Sequence, residues 1–194
     1  MNSSRLFLDV LGAIDFTTIE VWTKSGLATF YLLFVLEVAT RRVLLAGCTT
    51  SPEERWMKQV ARNLTDCTNG FLVDTEYLLM DRDTKFCAAF RSILKDAGVK
   101  AVRLPPRSPD LNAHLERFLR SLKEECLDRM IFFGETSLRK ATSEFLAHFH
   151  GERNHQGLNN QLIEPGQEVG RVAGRLQCRK RLGGMLRYYH RAAA

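Results

Sequence analysis

Three acidic residues, far apart along the chain, are suited in type and position to metal-dependent phosphoryl transfer. Asp15 lies between two large apolar residues, and Asp81 directly follows the apolar run 77–80. Glu116 comes after a proline-containing loop, near the start of a predicted helix. An acid flanked by apolar side chains must face water, a partner or a ligand. Three converging carboxylates need a cation to stay ionised together, and hard oxygen ligands suit Mg²⁺.

The same acids also have a purely structural interpretation. A chain with 22 Asp and Glu residues always contains some acidic triple. Asp15 and Asp81 would then be turn or cap residues, and Glu116 a solvated acid on a helix surface. Composition and order leave both interpretations open, because a motif needs its structural context.

The elements that must position these acids begin with three strands joined by short links. Their β-branched and aromatic residues, and a Lys-Ser-Gly turn at 24–26, indicate an antiparallel meander. The five predicted strands cover residues 13–22, 28–37, 42–48, 77–80 and 100–104. Helices between the later strands add parallel pairs. We therefore expect an α/β fold with a five-stranded mixed sheet and helices on both faces.

Helix starts are predicted from capping signals. Ser51 and Glu54 match a capping box before the first helix. Thr84 is expected to cap the second helix, and Asp110 or Asn112 to open the third. A fourth helix follows, so the last part of the α/β core is helical.

The charge is basic: 28 Lys and Arg against 22 Asp and Glu give +6, with a pI near 9.2. A polyanion is the natural partner for such a surface. Residues 171–190 carry six basic residues and no acid. The expected organisation is a core at residues 1–166 and a basic C-terminal appendage at 167–194.

Neither a membrane nor a disulfide framework is predicted. The most apolar stretch, 28–38, is too short to span a bilayer and contains Glu37. Five scattered cysteines without a CxxC pair favour neutral thiols in a reducing compartment and argue against a structural zinc site. We expect a cytoplasmic, nucleoid-associated protein.

Four segments resemble the motifs of DDE transposases from insertion sequences and of retroviral integrases. Residues 15–21 are similar to the first-strand motif, and residues 80–86 resemble the motif of the second aspartate. Residues 105–125 look very like the third motif, in which a proline and asparagine loop precedes the glutamate. Residues 149–158, followed by Pro165, are similar to a fourth stretch of the family.

The resemblance implies an RNase H-like integrase catalytic core. Its cofactor would be two metal ions, Mg²⁺ or Mn²⁺. Its activity would be cleavage and strand transfer of DNA, as in DNA integration, recombination and transposition. By the matched motifs, Asp15, Asp81 and Glu116 are the metal ligands, with Asp83 the nearest competitor of Asp81. The partner would be double-stranded DNA, both the ends of the mobile element and the target into which they are joined. A homo-oligomer is expected because two DNA ends must be joined.

Basic and polar residues around the third acid are candidates for DNA contact. Glu116, Arg120 and Lys123 follow at i, i+4 and i+7 and so share a helix face. The alternatives are a plain Glu116–Arg120 pair of about 0.2–0.5 kcal/mol, a helix cap at Asn112, and a structural role for His155. The full set of predicted DNA-binding residues is Arg107, Asn112, Arg117, Arg120, Lys123, Arg153 and His155.

Two other functions compete with strand transfer. Family members carry an end-recognition module before the first acid, whereas only 14 residues precede Asp15 here. The chain could therefore be a catalytically inactive remnant that binds DNA or multimerises. An RNase H-like nuclease that hydrolyses without joining would need the same acids and metals.

Overall fold

A five-stranded sheet forms the centre of the computed structural model, which describes residue 8 and residues 10–104 and 112–192. The strands lie in the order β3-β2-β1-β4-β5. Their bounds are β1 (Leu11–Thr23), β2 (Gly26–Glu37), β3 (Val43–Thr49), β4 (Tyr77–Met80) and β5 (Lys100–Arg103). The first two strands are longer than predicted, because the Thr23–Gly26 turn is tight and Gly26 adopts φ +112°.

Strand directions follow from the links between them. The short links make β1–β2 and β2–β3 antiparallel, whereas helical crossovers make β1–β4 and β4–β5 parallel. The predicted α/β fold with a five-stranded mixed sheet is thereby confirmed, including the adjacency of the first and fourth strands.

Four helices are described, and none of them in the described ranges is long and apolar enough to cross a bilayer. Their bounds are α1 (Glu54–Leu64), α2 (Ala88–Asp96), α3 (Ala113–Glu125) and α4 (Gly134–Gly151). After α3, a short 3-10 turn covers Leu127–Arg129. The third helix therefore begins directly after Asn112, one of its two predicted opening residues.

Both predicted caps of the earlier helices are wrong. The residue before α1 is Glu53, in extended conformation and without a side-chain cap bond, and the Ser51 hydroxyl donates to the Glu53 carboxylate at 2.8 Å. The residue before α2 is Cys87, also extended and uncapped, so Thr84 lies too far from the helix. In both cases the backbone is still extended at the residue before the helix, so the helix begins after the residue that was predicted to cap it.

The apolar face of α1 and α2 packs on one side of the sheet. Met57, Ala61 and Phe90 are buried against Ile14 of β1 and Met80 of β4. Burying a side chain of this kind contributes about 1.5–3 kcal/mol. This face therefore fixes the two central strands, and with them the residues that follow in register.

The chain divides into two compact units, Met1–Arg120 and Ser121–Ala194. The first contains the sheet, α1, α2 and the start of α3. The second contains α4 and an antiparallel hairpin of β6 (Leu176–Arg181) and β7 (Leu186–Arg191). The predicted division into 1–166 and 167–194 stays a prediction.

The second unit is held together by a buried acid. The side chain of Glu152 is 1% exposed and accepts hydrogen bonds from Arg181 at 2.7 Å and Arg179 at 3.1 Å. It also lies 3.0 Å from Nδ1 of His148. These partners hold the pKa of Glu152 at about 2, well below its usual value, despite its burial. The acid joins the end of α4 to the hairpin.

Candidate active site

Parallel pairing of the two central strands brings Asp15 and Asp81 together. Ile14 of β1 is the register partner of Met80 of β4, and each acid is the next residue along its strand. Neighbouring strands lie about 4.8 Å apart. The sheet therefore places Asp15 and Asp81 at adjacent backbone positions on neighbouring strands.

The face of the sheet that Asp15 occupies is the one against which α3 packs. Asp15 pairs directly with Phe34 of β2, and directly paired residues point to the same face. The Phe34 ring meets that of Phe118 in α3 at 5.2 Å and 62°. Glu116 lies on the exposed surface in the first turn of that helix.

Electrostatics links the three predicted acids. Burial above all, together with the negative charges of Asp81, Glu116 and Asp83, raises the pKa of Asp15 to about 6. One contact opposes this: the Phe16 N–H donates to Oδ1 of Asp15 at 2.7 Å and favours the ionised form. The acids are thus within electrostatic range of one another, in an environment that disfavours negative charge.

The arrangement of the acids is open, not that of a closed metal cage. Among residues 10–104 and 112–192, no three His, Cys, Asp or Glu side chains are close enough to hold one metal ion. The donor set nevertheless has the right chemistry, since all three groups are carboxylates and hard oxygen ligands suit Mg²⁺.

Asp83, the competitor of Asp81, has a cationic partner of its own. Its carboxylate pairs with Nζ of Lys85 at 2.6 Å, and the Lys85 N–H donates to it at 2.9 Å. These contacts hold its pKa below the usual value. The Lys85 ammonium in turn lies 5.6 Å from the ring of Phe16. Asp81 instead accepts a backbone hydrogen bond from Asp83 at 2.9 Å and forms no ion pair with any described residue.

Two arginines and a histidine accompany the start of α3, and the sequence predicted one of these three residues as a DNA contact. Arg117 influences both Arg41, in the turn after β2, and His114. Burial, followed by the neighbouring positive charges, lowers the pKa of Arg41 and of His114. Arg41 was missed because it meets Arg117 through tertiary packing, and its only local signal is the Arg-Arg turn at 41–42. His114 lies three residues before Arg117 on α3, so in its case the helical spacing was a local signal.

The predicted DNA-binding residues on and next to α3 differ in exposure. Arg120 is exposed on α3, and Lys123, on the same helix, is exposed as well. Asn112 is 4% exposed, and its Oδ1 accepts no hydrogen bond from any described residue. Asn112 therefore does not cap α3 through its side chain. Arg107 lies outside the described residues.

In the second unit, two predicted DNA-binding residues have partners within the chain. Arg153 forms a bidentate pair with Glu125 at 2.7 and 2.8 Å. Nε2 of His155 lies 2.7 Å from the carbonyl oxygen of Phe149, and the two rings meet at 4.6 Å. Both contacts support a structural role, and DNA binding by these residues stays a prediction.

The sequence matches one family model. Residues 97–162 match the integrase core domain, a segment that includes His114, Glu116 and Arg117. No curated protein sequence matches the chain.

Solved structures with a similar fold are catalytic cores of retroviral integrases. The integrase catalytic core of HTLV-2, in complex with magnesium, has a TM-score of 0.59 at 10% identity, covering 80% of this chain and 93% of that one. The core of BIV integrase has a TM-score of 0.53 at 17% identity, covering 77% and 88%. The intasome of simian T-cell lymphotropic virus, in complex with a PP2A regulatory subunit, has a TM-score of 0.57 at 10% identity, covering 95% and 67%.

The comparison with solved structures agrees with the α/β fold described above. The resemblance expected from the four motifs is confirmed: the chain matches the integrase core domain over residues 97–162 and has the RNase H-like fold of retroviral integrase catalytic cores.

Proposed function

We propose that this chain is a metal-dependent DNA strand transferase, a DDE transposase or integrase core that cleaves DNA and joins its ends. The observation that carries the proposal is the parallel register of β1 and β4, which places Asp15 and Asp81 next to each other on neighbouring strands. The raised pKa of Asp15, caused by burial and by Asp81, Glu116 and Asp83, supports it. Carboxylates kept close together in a partly dry site are suited to binding cations. The integrase core domain match over 97–162 supports the same activity.

Asp15, Asp81 and Glu116 would hold the metal. When bound, two Mg²⁺ or Mn²⁺ ions supply charge compensation for the attacking and leaving oxygens of the phosphoryl transfer. The chain itself orients the first ligand, because the Phe16 N–H fixes Oδ1 of Asp15. Rigid packing of Ile14 and Met80 below the acids keeps the spacing of the two strands constant.

DNA would be held by cations next to the acids. Arg117 follows Glu116 directly, and Arg41 lies within its electrostatic range. Burial and, after it, repulsion by Arg117 lower the pKa of Arg41, and a phosphodiester between the two groups would offset this repulsion. In the reaction, a hydroxyl oxygen attacks phosphorus and gives up its proton, while the 3′ oxygen leaves with the electron pair of the broken P–O bond.

We also propose that the active form is a homo-oligomer. Strand transfer joins two DNA ends, which one active site cannot hold alone. The matched HTLV-2 core occurs in a trimeric form, and the matched simian virus protein is part of an intasome. The measurement is sedimentation of the chain with and without duplex DNA.

A second candidate is a DNA-binding protein without catalytic activity. One observation favours it: the acids of the described chain do not gather into a three-ligand metal site. Such a protein would retain the basic surface and bind DNA with a strong dependence on salt concentration.

Cleavage assays separate the two candidates. A supercoiled plasmid and a short duplex are incubated with the chain in Mg²⁺ or Mn²⁺. The variants are Glu116→Gln and, as a matched control, Glu124→Gln, which replaces an exposed acid of the same helix. We expect nicking and joining that fall by about 10²-fold or more in the first variant, in line with the loss of one preorganised electrostatic group, and persist in the second. DNA binding without turnover in every protein would favour the inactive candidate, and hydrolysis without joining would indicate a nuclease.

A further inference from the structure

The second unit contains a cavity to which the proposed chemistry assigns no role. Its volume is ≈ 670 Å³, within the roughly 300–1,000 Å³ typical of small-molecule sites. Strand β7 forms one wall with Tyr188 and His190, and the segment after α4 contributes Asn154, Asn160 and Gln161. Aromatic and amide groups thus face the same space.

The aromatic wall is a preformed stack. Tyr188 and His190 alternate along β7 and so share a face, with ring centroids 5.5 Å apart and planes at 11°. The guanidinium of Arg179 lies 5.9 Å from the centroid of the Tyr188 ring. Stacked rings of this kind offer a flat surface on which a further aromatic ring can stack.

One polar atom on this wall has no partner. Nδ1 of His190 is buried and forms no hydrogen bond with any described residue. A buried nitrogen without a partner is destabilising unless a ligand pairs with it. His190 itself lines the cavity, so a ligand inside the cavity lies against this residue.

The amide of Asn160 in the cavity lining lies in a hydrogen-bonded turn. Asn159 and Asn160 have φ of 54° and 60°, and the His155 carbonyl accepts a hydrogen bond from the Asn160 N–H at 2.9 Å. A side-chain amide carries both donors and an acceptor, the pattern that recognises the edge of a nucleobase.

The charge of the cavity wall suits an anionic ligand. Arg171 and Arg191 line it, and residues 171–191 contain no acid. The one acid of the wall, Glu168, lies 3.3 Å from Arg179, which offsets its charge. A ligand with a flat ring and a phosphate matches both the stack and the arginines.

We propose that this cavity binds one unpaired nucleotide of a DNA strand, with the base against the Tyr188–His190 stack and a neighbouring phosphate near Arg171 or Arg191. The proposal rests on the proposed function in taking DNA as the substrate. Sequence-tolerant binding of single strands by stacking and basic side chains is a general mode. The cavity would hold a nucleotide that leaves the duplex near the cleaved end.

Binding is tested with the full chain and a short single-stranded oligodeoxynucleotide that contains one 2-aminopurine. Its fluorescence falls when the base stacks on an aromatic ring. The matched ligand has an abasic site in place of that base, and free deoxyadenosine monophosphate is a competitor. We expect quenching, and affinity at least about fivefold lower for the abasic strand, the lower range for loss of one base–aromatic stack. Strong competition by the monophosphate would identify a free nucleotide as the ligand, and equal affinity for both strands would overturn the proposal.

Variants separate the cavity from general attraction to a basic surface. His190→Ala removes half of the stack, whereas His190→Phe keeps a ring and removes the buried nitrogen. Arg171→Ala alters the wall, and Lys180→Ala removes an exposed charge of the hairpin that does not line the cavity. We expect quenching to be lost in His190→Ala and kept in His190→Phe. The loss of affinity should be larger for Arg171→Ala than for Lys180→Ala. Equal losses with unchanged quenching would overturn the proposal.

The two proposals fail in different ways. Asp15→Asn should leave quenching by the oligonucleotide unchanged, because the acid does not line the cavity. Quenching without metal-dependent cleavage would contradict the proposed activity and support the cavity. Metal-dependent cleavage without quenching would support the proposed activity and contradict nucleotide binding in the cavity.

Discussion

Replacing Asp15 by Asn should stabilise the metal-free protein. The pKa of Asp15 rises from 3.8 to about 6 in the folded state, chiefly through burial. A carboxyl with a raised pKa binds its proton more tightly when folded, so stability falls as the pH rises from 3.8 to 6 and stays lower above 6. A shift of about two units corresponds to about 3 kcal/mol. This is an upper limit, because Asp15 is partly exposed and water screens its charge.

Asn is the appropriate substitution because it keeps the local hydrogen bond. Its amide oxygen can still accept the Phe16 N–H, which donates to Oδ1 of Asp15 at 2.7 Å. The variant therefore removes the charge and little else. The gain in stability should be largest above pH 6 and should vanish below pH 4, where the wild-type carboxyl is neutral.

The assay is urea unfolding in EDTA at several pH values, followed by circular dichroism. Glu20→Gln is the control, since Glu20 is an exposed acid of the same strand, and its effect should be small at every pH. Excess Mg²⁺ should then stabilise the wild type and leave Asp15→Asn unaffected, because a ligand stabilises the state that binds it. If Asp15→Asn were destabilising at pH 7, or if its effect were independent of pH, the electrostatic description of the site would be refuted.

Two further substitutions test the framework around the sites. Glu152→Gln should destabilise the second unit by about 3 kcal/mol at pH 7, because its pKa of about 2 lies well below the ordinary 4.5. This stabilisation is present above pH 4.5 and is lost as the pH falls towards 2. Thermal unfolding measures it. The control is Glu135→Gln, which removes the exposed ion pair of Glu135 with Arg139 on α4, worth about 0.5 kcal/mol or less. Gly47→Ala should cost about 1–3 kcal/mol, because a Cβ at that position would lie 2.4 Å from the Trp56 ring. Gly157→Ala, with no atom within 4 Å, should have little effect, and a similar loss in both variants would contradict the packing argument.

The sheet was predictable from the sequence because its signals are local and repeated. Alternating and β-branched residues define each strand, and the length of each link sets the strand direction. Those two rules together place Asp15 beside Asp81, so this half of the candidate site follows from the sequence. The exact helix starts did not follow, because Ser51 uses its hydroxyl on the Glu53 side chain instead of a helix N–H.

Features that depend on tertiary packing were not predictable in the same way. Arg41 approaches Arg117 through the turn after β2, whose backbone is left-handed at Arg41 with φ 65°. The role of Glu152 was missed as well, although His148 four residues earlier was a local signal. Its two arginine partners lie 27 and 29 residues away in the sequence. No spacing rule links residues at such separations.

The acids of the described chain differ in a way that bears on function. Glu152 is paired with two arginines, and Glu125 is bound by Arg153. Asp83 is paired with Lys85. Asp15, more deeply set than Asp83, receives a backbone N–H and acidic neighbours, and no cation of the described residues forms an ion pair with it. Such a site lowers stability, and a protein gains from it only where the acid serves a ligand, which is the reason to seek a cation-binding function at Asp15.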